Sequence, residues 1–409
     1  MKTFKFITTK IFLRKAILGI GMIILFFMSN YLTFTVARSI VSVFQGYEKT
    51  RYIDKEGTYI ANLDPDYDIN TINDNGLQAV YDYLNNNYKY AFYTDGFVES
   101  VSNPKGMEVP IAYMNEEYYN LNKFIISQGT NLYFDYEIND TIPVLIGEGL
   151  SKTYPVGSII KIEKSIIGHP ITLKVQGILK KNSFHINYYA LNSRMYYNFS
   201  ILVPVNKEFI NQENIGLKLN GIMEIIITQS TKEKTIELSN YIKDNTGLKI
   251  NFFDQKENYD YFNQYFIQSL KIMVTINIIL VILIICFSIW NAFISVRLML
   301  KDFTINLLVG LSYSKLRKIF YGYFGILSFI NIITISLITA FSKYGCWIRK
   351  ESNLVTYGIL GLEEVDWLSL LIVVILNIFI VIIISEKMLK KIKKVPISLG
   401  VLQWQTLLI

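Results

Sequence analysis

Four stretches of the chain contain no Asp, Glu, Lys or Arg, and they constrain its fold more than anything else in it. They cover 16–36, 272–296, 319–341 and 367–385, lengths of 21, 25, 23 and 19 residues. A helix rises about 1.5 Å per residue, so roughly 20 apolar residues cover the ~30 Å hydrocarbon layer of a bilayer. No water is available there to backbone N–H and C=O groups, and a helix satisfies them internally. The expectation is four transmembrane helices. Buried helices of soluble proteins are shorter and punctuated by charge. The chain is 51% hydrophobic and only 18% charged, where soluble domains carry about a quarter charged residues. A large soluble enzyme and a disordered chain are both excluded.

Basic residues give the orientation. Lys2, Lys5, Lys10, Arg14 and Lys15 precede the first run; Arg297, Lys301, Lys315, Arg317 and Lys318 lie between the second and third; Lys387, Lys390, Lys391, Lys393 and Lys394 follow the fourth. Against these stand only Asp302 and Glu386, whereas acids outnumber bases 27 to 21 over 38–268. Positive loops stay cytoplasmic. The expected plan is a cytoplasmic segment 1–15, a span at 16–37 and an extracytoplasmic domain at 38–268. A second span at 269–296, a cytoplasmic loop 297–318, a third span at 319–341, an outer loop 342–366, a fourth span at 367–385 and a cytoplasmic tail 386–409 follow. The first run is expected to be retained as a span, since 21 residues is long for a signal-peptide core. The net charge of +7 is therefore a topology signal and gives no reason to expect nucleic-acid binding.

The outer segment reads as α+β. Leu77, Val80, Tyr81 and Leu84 recur at helical spacing. Ser230 and Glu233 form a possible capping box before Thr235, Leu238, Tyr241 and Ile242, with Gly247 as the stop. Ile171, Leu173 and Val175 alternate as on a strand, and the run from Ser158 to Glu163 precedes them as a hairpin partner. Glu224 to Thr228 reads as another strand. From Lys256 through Phe266 the chain is polar and aromatic and enters the second span without a breaker, as a helical stalk would.

Little here suggests catalysis. No Gly-Lys dipeptide occurs, so the chain has no phosphate-binding loop of the Gly-x4-Gly-Lys-Ser/Thr kind. His169 and His185 are expected to be loop or surface residues without metal or acid–base roles. Asp64, Asp66 and Asp68 alternate but lack the glycine and closing glutamate of a calcium loop, so a solvated acidic turn is expected. No cofactor is expected. Asn277, Asn291, Asn331 and Asn377 lie within spans, where hydrogen bonds between helices are their expected role. Cys286 falls in the second span and Cys346 in the outer loop, too far apart in the plan for a disulfide.

The cytoplasmic loop is more informative. Phe303, Leu307 and Leu311 recur every four residues, an apolar stripe on a short helix. Asp302 stands at its start, where negative charge suits the helix dipole. Gly310 permits a tight turn into the third span. On these grounds alone the helix is equally a docking surface or a mere connector.

Two stretches resemble the permease subunits of MacB/FtsX-type ABC transporters. Outside, the run from Val144 through Leu, Ile, Gly147, Glu, Gly149 and Leu150 to Pro155, Val156, Gly157 and Ile162, followed by Ile171 to Leu179, is similar to the MacB-like periplasmic core domain. The run from Ile125 to Asp135 matches that domain in part, with Thr130 where Arg is usual. Inside, Lys301, Gly310, Ser312 and Ile319 fall in register with the loop that meets the ATPase, with Asp302 in place of Glu and Leu311 in place of Ala. The ending Lys394, Val, Pro396 to Leu399 is similar too. The resemblance implies a bacterial cell-membrane protein whose outer domain is moved by ATP hydrolysis in a separate cytosolic ABC ATPase subunit. It also implies a second permease chain, identical or similar, beside it. The chain itself would be non-catalytic, and the ATPase-coupling residues would be Lys301, Asp302, Phe303, Leu307, Gly310, Ser312 and Lys315. Export or extraction of a peptide, antibiotic or lipid-like compound is the expected activity. An FtsX-like protein controlling a cell-wall hydrolase through its outer domain is the alternative.

Overall fold

The computed structural model describes residues 16–64, 72, 74–103, 105–137, 141–163, 165, 168–298 and 310–394. In chain order, α1 (Ala16–Thr50) leads to β1 (Tyr59–Leu63), α2 (Asp74–Asn87), β2 (Lys89–Ala91), β3 (Tyr93–Glu99) and β4 (Val109–Met114). Then come α3 (Glu116–Asn122), β5 (Ile126–Gly129), β6 (Ile142–Ile146), β7 (Ile159–Ile162), β8 (Ile171–Leu179), β9 (Phe184–Asn187), β10 (Ala190–Tyr196) and β11 (Ile201–Pro204). The rest is α4 (Lys207–Gln212), α5 (Ile215–Met223), β12 (Ile226–Thr228), α6 (Lys232–Thr246), β13 (Ile250–Asp254), α7 (Gln255–Leu298), α8 (Tyr313–Ile348) and α9 (Glu364–Lys393).

The chain divides into two units: a helical one from Met1–Val41, Phe266–Ala340 and Glu364–Ile409, and a mixed one from Ser42–Tyr265 and Phe341–Glu363. Four helices, α1, α7, α8 and α9, are long and apolar enough to cross a membrane. In the helical unit, Met22 and Phe26 of α1 pack with Phe320 and Phe324 of α8 and with Ile380, Ile384 and Met388 of α9. Polar side chains join helices where the sequence places them. Ser29 donates to Asn277 Oδ1 at 3.0 Å and Asn277 Nδ2 donates to Thr33 at 2.8 Å, linking α1 to α7. Arg38 pairs with the buried Asp366 at 2.9 Å, linking α1 to α9. Asn377 instead donates to Val373 within its own helix, and the buried Asn291 amide finds no hydrogen-bond partner among the described residues. Both cysteines are free.

The mixed unit holds two main sheets. One, ordered β13-β1-β12-β2, is antiparallel throughout. It is packed by α2, whose Leu77, Val80, Tyr81 and Leu84 are all fully buried. It is packed also by α6, whose Leu238 and Ile242 are buried. The second, ordered β3-β4-β11-β6-β8-β5 with β7 on β8, has parallel pairs at β4–β11 and β6–β8. The strand predicted at Ile171 is β8, with Ile171, Leu173 and Val175 facing inward, and β7 is its hairpin partner. β9 and β10 form a separate hairpin.

Two local expectations are corrected. The cap of α6 is Thr231, which accepts from Lys234 N, and not Ser230. Ser230 is held by its own backbone, which donates to the Gly57 carbonyl at 3.0 Å, so the helix starts one residue later. His185 is neither a loop nor a surface residue: it lies in β9 with its ring 4.9 Å from Tyr93 and 5.4 Å from Tyr188.

Candidate functional site

Of the residues expected to meet an ATPase, Lys301, Asp302, Phe303 and Leu307 lie outside the described residues. The remaining three sit where α8 begins. Gly310 has φ +106°, a left-handed backbone that glycine adopts without the penalty a Cβ brings. Ser312 caps α8, its hydroxyl accepting from Lys315 N at 3.2 Å and its carbonyl from Leu316 N at 3.0 Å. Lys315 is exposed. Leu311, at the end of the predicted stripe, is buried with Leu316 and Ile319 in the helical core.

This start of α8 is tied to the end of α9. Glu386 accepts from Arg317 at 2.9 and 3.2 Å through its two oxygens, and from Tyr321 at 2.8 Å. Lys393 of α9 lies 5.2 Å from the Tyr313 ring, and Lys391 lies 4.9 Å from the Phe293 ring of α7. Displacement of the segment at 310–319 is therefore resisted by α9 as well as α8. In the sequence Arg317 and Glu386 show only as charges, because their separation of 69 residues hides the pairing.

Of the residues read as an outer loop, 342–363 are part of the folded mixed unit and 364–366 open α9. Cys346 and Val355 belong to the same core as β4, β6, β8 and β11, with Trp347 packed on it. Asn182 brackets Tyr357, accepting from its N at 2.8 Å and donating to its carbonyl at 2.7 Å. Asn198 donates to the Val355 carbonyl at 2.8 Å. Glu363 accepts from Lys343 at 2.6 Å and from the Tyr196 hydroxyl, with Arg194 3.8 Å away. Arg194 also donates to Gln45 at 2.6 Å. At that same hairpin Gly46 of α1 lets the helix touch β10: a Cβ there would collide with the Leu191 carbonyl. The Gly-Glu-Gly run has a similar cause. Gly147 and Gly149 accept the backbone of 197–199 so closely that a Cβ on either would overlap it, and their N–H groups donate to Ser200 and Asn198 at 2.9 and 2.7 Å.

The histidines and acids hold no metal-binding cluster among the described residues, and Asp66 and Asp68 lie outside them. His169 meets Glu213 at 3.0 Å; burial pushes the Glu213 carboxyl up while the histidine pulls it back down. His185 touches Tyr118 through Nδ1 at 3.1 Å, and burial lowers its pKa to about 4.

No protein-family profile matches the sequence, and no curated protein matches it. Among solved structures, the periplasmic region of MacB from Actinobacillus actinomycetemcomitans is 13% identical with TM-score 0.34, covering 53% of this chain and 97% of that one. The extracellular domain of the noncanonic ABC-type transporter YknZ from Gram-positive bacteria is 12% identical with TM-score 0.32, covering 48% and 99%. Four helices, each long and apolar enough to cross a bilayer, make the chain a multi-pass membrane protein with a β-rich domain after the first, and it is similar to the periplasmic region of MacB and the extracellular domain of YknZ.

Proposed function

We propose that the chain is the membrane subunit of a MacB/FtsX-type ABC transporter, worked by a separate cytosolic ATPase acting on residues 301–319. The observation that carries this reading is the continuity of α1, α7 and α8. Each has one end in the helical unit and the other in the mixed unit, and none contains a proline. At about 1.5 Å per residue, the 44 residues of α7 extend roughly 66 Å, about twice what a bilayer core requires. Helices of this kind transmit a push without a channel and without chemistry of their own. The 301–319 segment and the basic flanks of the spans are cytoplasmic in this reading, and 42–265 with 341–363 are outside. A second permease chain completes the assembly, and the cargo is a peptide, antibiotic or lipid-like compound.

The test begins with cysteine labelling in a variant lacking Cys286 and Cys346. An impermeant maleimide should modify Lys152→Cys on intact cells and Lys315→Cys only after permeabilisation. Paired spin labels in the mixed unit of the purified chain, held with its ATPase, should then change separation on adding ATP. Labelling in the reverse order refutes the topology, and spin-label distances indifferent to ATP refute the mechanical reading.

A further inference from the structure

Three aromatic rings of the mixed unit surround one ammonium group. Lys105 Nζ lies 3.9 Å from the Trp347 ring centre, 5.6 Å from that of Tyr357 and 6.0 Å from that of Phe199. The rings meet edge to face, Phe199 on Trp347 at 5.7 Å and Trp347 on Tyr357 at 5.5 Å. Each is fixed independently. Phe199 is fully buried and packs so closely on Gly149 that a Cβ there would come within 2.7 Å of its ring. Tyr357 is bracketed by Asn182, and Trp347 stands in the last turn of α8. Electron-rich ring faces attract cations, and a box of several such faces is the arrangement that holds quaternary ammonium groups. Lys105 itself is exposed and makes no ion pair among the described residues, so the rings alone hold it.

The surroundings narrow the ligand. Lys152 acts electrostatically on Lys105, and burial together with that charge lowers the Lys105 pKa. Lys350 Nζ would be only 3.3 Å from a Cβ at Gly106. Glu148, whose charge reaches Tyr357, is already paired with Lys181 at 3.4 Å. A bare cation entering here would be opposed by lysines. A cation carrying its own anion a few bonds away would meet both halves of the site.

We propose that Phe199, Trp347 and Tyr357 form a cage for the ammonium of a phosphate-bearing alkylammonium, the phosphocholine type of head. Lys105 fills the cage as a built-in stand-in, and once it is displaced the ligand's phosphate meets Lys152 and Lys350. The site is independent of ATPase coupling and goes beyond the transport reading.

Saturation-transfer NMR on the trimethylammonium protons of phosphocholine, with the full chain in maltoside micelles, tests it. Lys105→Ala should bind about tenfold more tightly than wild type, because the competing cation is gone. Adding Trp347→Leu or Tyr357→Leu should abolish the signal, and choline without phosphate should bind more weakly. Where one wall variant loses its near-UV circular dichroism, the other decides. In vesicles of phosphatidylcholine, loss of the soluble-ligand signal identifies a lipid head as the source; a signal unchanged from phosphatidylglycerol vesicles identifies a free ligand. Equal affinity of wild type and Lys105→Ala, or a signal surviving both wall substitutions in folded protein, overturns the proposal.

Discussion

Replacing Glu363 by Gln should loosen residues 341–363 from the rest of their domain. The carboxylate is buried, with its side chain 8% exposed, and its partners are buried too: Lys343 at 11% and Arg194 at 8%. Lys343 is 2.6 Å away and the Tyr196 hydroxyl also donates to it. A Gln keeps the shape but leaves two cations facing an amide. Removing one member of a buried ion pair costs about 3–5 kcal/mol, because the remaining charge stays desolvated without compensation. A domain of this size loses about 2–4 °C in Tm per kcal/mol, so the expected drop is roughly 6–20 °C in the thermal transition of the mixed unit. Hydrogen exchange would locate the effect: amides of 352–363 should lose protection while those of β6 and β8 keep theirs. The variant Lys343→Met with Glu363→Leu removes the carboxylate and one of its two cations at similar volume, leaving Arg194 with Gln45 as its partner, and it should recover part of the loss. The reasoning is refuted if Glu363→Gln melts within 2 °C of wild type, since the cluster would then contribute no more than a surface pair.

Three further outcomes are expected. Gly46→Ala should lower the stability by about 1–3 kcal/mol, seen as a lower Tm, because the new Cβ overlaps the Leu191 carbonyl and the backbone must shift; an unchanged melt would mean that α1 does not need this close approach. Because burial holds the His185 pKa near 4 against the ordinary 6.5, the unfolded chain binds the extra proton first. Its contribution to stability is therefore complete above pH 6.5 and is lost as the pH falls toward 4. Denaturant melts between pH 7 and 4 should show this slope, reduced in His185→Phe; identical slopes would refute it. Glu386→Gln should change the stability by less than about 1 kcal/mol, since its ion pair is half exposed, yet under the proposed function it should weaken ATP-driven movement of the mixed unit, measured by spin-label distances. Full movement in that variant would show that the Arg317–Glu386–Tyr321 contact transmits nothing.

Residues whose neighbours are close in sequence were legible, and residues whose partners are distant were not. The inward face of α2 follows from Leu77, Val80, Tyr81 and Leu84, and all four are fully buried, because a 3.6-residue period shows in any window of a dozen residues. The β7–β8 hairpin and the unbroken run from Lys256 into the second span were legible for the same reason. Capping was readable only to within a residue. Ser230 and Thr231 carry equivalent hydroxyls, and the choice fell to a backbone contact with Gly57, 173 positions away in the sequence. The short strand of β9 offers too few residues for a period, so His185 gave no sign of its tyrosine surroundings. At the candidate coupling site Gly310 was legible from its residue type, whereas the clamp of Arg317 on Glu386 was not.

The same distinction explains why residues 342–366 read as an outer loop, although 342–363 belong to the mixed unit. Beyond the end of α8 at Ile348 the segment has no run of alternating apolar residues and only short 3-10 turns at Ser352–Leu354 and Ile359–Gly361. Its order comes from elsewhere: from Asn182 and Asn198, which supply amide hydrogen bonds to Tyr357 and Val355, and from β10, which supplies Arg194 and Tyr196 to Glu363. The two amides bond backbone groups at Val355 and Tyr357 that the segment's own turns do not. That dependence has a mechanical consequence. α8 continues into this segment and α9 starts directly after it, so the only covalent path between these two helices runs through residues held by β10 and by the Asn182–Asn198 pair. Under the proposed function, a shift of α8 relative to α9 would be felt first at Glu363. An Asn198→Ala variant, which frees the Val355 carbonyl, should therefore uncouple the mixed unit from ATP while leaving hydrolysis by the ATPase intact. Parallel loss of hydrolysis and movement would instead mean that the substitution acts on the whole fold.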